Sequence, residues 1–93
     1  MILTVDQIAI IKEYFKPFEP KRLAVFGSYA RGEAKKSSDL DLLVHFDRRI
    51  SLFDIIDLED KLSDALGVKV DLVTEKSLNP MIKPFILNDL IVL

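Results

Sequence analysis

Asp39 and Asp41 stand two residues apart at the head of the run Leu42-Leu43-Val44. In an extended segment, residues i and i+2 leave the same face, about 6.5–7 Å apart at Cα, so the two carboxylates aim at one point. Two ionised carboxylates so placed repel each other. The usual relief is a raised pKa on one of them or a divalent cation held between them. Oxygen-only ligands suit magnesium or manganese, with phosphate completing the shell. Solvated edge acids at a strand start have the same pattern, so the pair alone leaves both readings open. Upstream, Gly27-Ser28 is separated from Asp39 by ten residues. A glycine at a strand-to-helix turn lets backbone approach a ligand, and a helix start beyond it would aim amides at a phosphate. The Ser28 hydroxyl can donate to a phosphate oxygen or simply cap that helix turn.

These residues need elements to hold them. Thr4 and Gln7 form a capping-box pattern ahead of Ile8, Ile11, Tyr14 and Phe15, which predicts a helix over 5–15, ended by Pro17 and Pro20. Arg22-Leu23-Ala24-Val25-Phe26 reads as a strand running into the Gly27-Ser28 turn, with one helical turn over 29–32. A polar loop over 33–38 then leads to a second strand over 39–46. Ser51 and Asp54 open an amphipathic helix through Leu52, Ile55, Ile56, Glu59, Leu62, Ala65 and Leu66, closed by Gly67. A third strand over 68–73 places Val68, Val70 and Leu72 on one face and Lys69, Asp71 and Val73 on the other. Asn79-Pro80 reads as the start of another helix, kept short or kinked by Pro84, and 90–93 as a last short strand. The expected fold is α/β (α+β): a small mixed β-sheet with helices packed on one face, forming a single domain over 1–93.

Composition narrows the chemistry. Lys+Arg number 13 against 15 Asp+Glu, a net charge of −2 that gives no general argument for nucleic acid. Zero Cys excludes thiolate chemistry and disulfides, and one His excludes a histidine metal cage or a Ser-His-Asp triad. A hydrophobic content of 49% suffices for one core, and no apolar run approaches the length of a membrane span. A cytoplasmic location is expected.

The segments Gly27-Ser28-Tyr29-Ala30-Arg31-Gly32-Glu33 and Ser38-Asp39-Leu40-Asp41-Leu42 resemble the signature of the minimal nucleotidyltransferases (MNT), a branch of the DNA polymerase β-like superfamily. The resemblance implies a nucleotidyltransferase fold in which Asp39 and Asp41 hold two Mg2+ ions, with Mn2+ as the alternative. It implies that Gly27, Ser28 and Arg31 bind the triphosphate of ATP. It also calls for a third acid on a later strand, a position Asp71 fits, which would ligate metal and help deprotonate the attacking hydroxyl. Stand-alone members are commonly antitoxins paired with a HEPN-domain ribonuclease toxin, transferring AMP to a tyrosine of that toxin. Two other readings stand beside this one: a binding module that neutralises its partner by complex formation, and nucleotide transfer to a small molecule.

Several residues carry plainer readings as well. Arg31 can pin its loop through Glu33 instead of binding phosphate, Lys35 and Lys36 can steer ATP or sit solvated, and Tyr29 can pack rather than touch nucleotide. His45 reads as an ordinary sheet-face histidine. Only about twenty residues follow the third strand. A bare catalytic core is therefore expected, with the acceptor recognised through a partner or a second copy of the chain. The apolar tail Phe85-Ile86-Leu87 with Leu90-Ile91-Val92-Leu93 suggests an interface or a final edge strand.

Overall fold

The local signals set most of the elements. In a computed structural model describing residues 3–93, α1 (Val5–Phe15) begins where the Thr4 hydroxyl accepts from the Gln7 N–H at 3.1 Å and the Gln7 side chain accepts from the Thr4 N–H at 2.9 Å. A 3-10 turn over Lys16–Phe18 leads to β1 (Arg22–Phe26), which is followed by β2 (Leu40–His45). Helix α2 (Leu52–Leu66) is capped by the Ser51 hydroxyl, which accepts from the Asp54 N–H at 3.1 Å, and is closed by Gly67 at φ 70°. Strand β3 (Val70–Thr74), a 3-10 turn (Glu75–Ser77), α3 (Lys83–Asn88) and β4 (Ile91–Val92) complete the chain.

The sheet order is β3-β2-β1-β4. Strand β1 runs antiparallel to both β2 and β4, whereas β2 and β3 are parallel and joined through α2, the long crossover that a parallel pair requires. Leu40, Leu42 and Val44 of β2 alternate onto one face with Leu23, Val25, Val70 and Leu72. Ile11 and Phe15 of α1 and Leu58 and Leu62 of α2 cover that face, so the two long helices share one side of the sheet. Each such side chain contributes roughly 1.5–3 kcal/mol by leaving water. Asp41, Leu43, His45 and Asp71 leave the opposite face, beside which α3 stands. No helix among the described residues is long and apolar enough to cross a membrane.

Three expectations shift. Residues 29–32 form a hydrogen-bonded turn rather than a helical turn, because Gly27 and Gly32 both take positive φ (73° and 71°) and leave too few residues between them for a helix. Strand β3 starts at Val70 instead of Val68, the left-handed Gly67 having turned the chain just before it. Pro84 falls in the first turn of α3, where its missing N–H costs nothing, because the Asn79 side chain first organises a turn by accepting from the Met81 N–H at 2.9 Å. Strand β4 is the short edge strand expected, and Ile91 and Val92 are exposed on it.

Candidate active site

Strand pairing places two of the three acids side by side. In the parallel β2–β3 register Asp41 faces Asp71, and in the antiparallel β1–β2 register Asp41 faces Phe26, the residue before Gly27. The Gly27 turn and both carboxylates thus meet at one end of the sheet. Asp39 lies one residue ahead of β2, near the Lys69 ammonium at 3.8 Å.

Glycine at 27 is required twice over. Its φ of 73° is left-handed, and a Cβ built there would fall on Oδ2 of Asp41 and 3.3 Å from its Cγ. The missing side chain is the space that the Asp41 carboxylate occupies. The turn is closed by its own backbone: Arg31 N–H donates to Gly27 O at 3.1 Å and Glu33 N–H to Ser28 O at 2.9 Å. There is consequently no helix N-terminus at Ser28, and any phosphate seat here rests on the turn and the Ser28 hydroxyl. Among the described residues that hydroxyl caps nothing. Tyr29 and Ala34 are buried in the core cluster, anchoring the turn from the helix side of the sheet. This favours the packing reading of Tyr29.

Electrostatics mark the same spot. The Asp41 carboxyl is raised above its ordinary value chiefly by burial, then by the charges of Asp71 and Asp39, with Arg31 opposing. The carboxylates therefore share one field, as converging acids should. Among the described residues no three acid or histidine side chains close into a ready-made metal cage. The donors are all oxygen, a set that suits Mg2+ or Mn2+ once further oxygens complete the shell.

Two adjoining cavities open over these residues. One, of about 510 Å³, is lined by Asp41, Asp71, Glu59, Leu78, Asn79 and Ile82 among others. The other, of about 370 Å³, is lined by Gly27, Arg31, Phe85 and Asp89, and the two share Phe26, Ile82 and Ile86. Helix α3 and the turn before it thus wall a cleft lined by Asp41, Asp71 and Gly27, whereas Asp39 and Ser28 line neither cavity.

Arg31 borders this cleft but is engaged by protein. Its Nε lies 3.2 Å from Glu33 and its Nη1 3.5 Å from Asp89, which ties the turn to the end of α3. Lys35 and Lys36 are exposed in a loop closed by Ser38, whose hydroxyl accepts from the Lys35 N–H at 2.8 Å. His45 lies further along β2, 3.8 Å from Glu75 and 3.7 Å from Asp47.

Sequence reasoning missed the wall of the cleft and the supports beneath it. Asp89 carried no signal, since its partner is 58 residues away in the chain (89 − 31). Glu59 did carry one, a carboxylate on the apolar stripe of an amphipathic helix.

The nucleotidyltransferase domain model matches residues 7–93. Protein adenylyltransferase MntA of Thermococcus cleftensis is 41% identical over 95 residues, covering 97% of this chain and 96% of that protein. A solved structure of a provisionally assigned minimal nucleotidyltransferase superposes with a TM-score of 0.81 at 40% identity, covering 95% of this chain and 89% of its own. At 21% identity, where only the fold is shared, the MNT antitoxin solved with a tri-AMPylated HEPN toxin of Shewanella oneidensis gives a TM-score of 0.73, covering 95% of this chain and 68% of that one.

Proposed function

The chain belongs to the nucleotidyltransferase domain family, and from that premise we propose that it transfers AMP from ATP to a hydroxyl, a tyrosine in the first instance, of a partner HEPN-domain ribonuclease toxin, and so acts as its antitoxin. The observation that carries this reading is the meeting of Asp41, Asp71 and the side-chain-free Gly27 at one sheet end, below a cleft open to solvent. The name of the Thermococcus relative, a protein adenylyltransferase, and the AMPylated toxin solved with the Shewanella antitoxin support the acceptor class.

Asp39, Asp41 and Asp71 would hold the Mg2+ ions. A divalent cation bound there supplies neutralisation of the phosphate charge, which the acids alone would repel. The Gly27 turn lets the triphosphate approach the backbone, and the Ser28 hydroxyl donates to a phosphate oxygen. Arg31 reaches the phosphates when it leaves Asp89. Asp71 accepts the proton of the attacking hydroxyl. The new bond joins that oxygen to the α-phosphorus, the bond from the α-phosphorus to the bridging oxygen breaks, and pyrophosphate leaves over Ser28. Orientation and charge stabilisation supply most of the rate.

The test is intact-mass spectrometry of a purified HEPN-domain partner after incubation with this chain, ATP and magnesium, beside an Asp39→Asn/Asp41→Asn control. Added AMP mass that disappears in the control is expected, and peptide mapping then identifies the acceptor residue. No added mass beside a stable complex would move the reading to neutralisation by occlusion.

A further inference from the structure

Strand β3 lies at the edge of the sheet, so the amides that point away from β2 have no strand to pair with. Two of them are taken by side chains of α2. The Val70 N–H donates to the Ser63 hydroxyl at 2.9 Å, and the Leu72 N–H donates to Oε2 of Glu59 at 2.7 Å. Asp71 is the residue between them. Ser63 is itself fixed, because its hydroxyl donates to the Glu59 carbonyl at 2.8 Å, one helical turn back. Glu59 and Ser63 are four apart on the helix and so stand on one face, in the spacing that meets alternate amides of a strand. Glu59 is half-buried and lines the cleft together with Asp41 and Asp71.

From this geometry we infer that Glu59 is a positioning residue: its carboxylate clamps the Leu72 amide, with Ser63 on Val70, and thereby sets Asp71 against Asp41 at the spacing a divalent cation needs. The inference rests on the proposed metal role of the acids. At 2.7 Å the Leu72 contact is at the short end of the N–H···O range, and it needs an acceptor oxygen at that reach. On one side Asp71 is held by the parallel ladder to β2, and on the other its two neighbours are held by α2. Loss of the clamp would free the edge of β3 and let the Asp71 carboxylate drift. A purely structural cap would protect the strand without affecting ion affinity.

The test uses the full chain as wild type, Glu59→Gln, Glu59→Ala and Glu59→Asp, with Mn2+ alone titrated by electron paramagnetic resonance and Leu72 amide exchange followed by NMR. Gln keeps an acceptor oxygen at the same reach, so Mn2+ affinity within about twofold of wild type is expected. Ala removes the acceptor, and affinity about tenfold weaker with faster Leu72 exchange is expected, the range typical of groups that orient metal ligands. Asp keeps the charge but shortens the reach, and serves if the Ala chain does not fold; a severalfold weakening is expected. Unchanged Mn2+ affinity in the Ala chain, or in the Asp chain where Ala fails to fold, would overturn the inference alone. A wild-type chain that takes up no Mn2+ would overturn the metal reading, and this inference with it.

Discussion

On the helix-covered face of β2, Leu40, Leu42 and Val44 are fully buried, whereas the opposite face of the same strand sets Asp41 half-buried beside Asp71 under an open cleft. The first face is closed by α1 and α2 and gains stability from every side chain it removes from water. The second is walled by α3 and the turn before it, where Met81, Ile82 and Phe85 remain exposed. A strand's alternation lets one short segment do both, since consecutive residues face opposite layers. Apart from Leu43, which is fully buried on the acid face, stability and chemistry are thus separated by the thickness of a sheet, and each can be altered with limited effect on the other.

That separation can be broken from either side. The largest expected effect is on the acid face: Asp39→Asn/Asp41→Asn should lower AMP transfer about a thousandfold, ~4 kcal/mol of barrier, without lowering the melting temperature. An unfolded double variant would show that the acids also hold the fold. Leu42→Ala should act in reverse, destabilising the chain by about 2–4 kcal/mol in denaturant melts while leaving transfer per folded molecule unchanged. A large drop in specific rate would show that the core reaches into the site.

Gly27→Ala sharpens the comparison, since it lies where the faces meet. A strained backbone and a displaced Asp41 carboxylate should cost about 1–3 kcal/mol of stability, together with a rate loss measurable in the same assay. The smallest effect concerns charge. Because the Asp41 carboxyl binds its proton more tightly folded than unfolded, stability should fall as pH rises from the ordinary value of 3.8 through the raised folded value, then level off. Asp41→Asn should therefore stabilise the chain at neutral pH by less than about 1 kcal/mol, solvent damping the effect. The gain should vanish below the ordinary carboxyl range, as melts across pH will read.

The sequence by itself determined what is held by short-range bonds. Thr4 with Gln7 capped α1, Ser51 and Gly67 bounded α2, and alternation separated Leu42 from Asp41, each through partners within a few residues. The Gly27-Ser28 and Asp39-x-Asp41 spacing was likewise legible, because the β1–β2 pair brings those ends together. Only the tertiary structure decided the rest. The turn over 29–32 did not become helical, because two left-handed glycines bound it. The Arg31–Asp89 bridge, the cleft wall built from α3 and the clamp of Glu59 on the edge of β3 join residues far apart in the chain. Such contacts depend on how the layers pack, and packing follows from the whole set of apolar faces rather than from any local pattern.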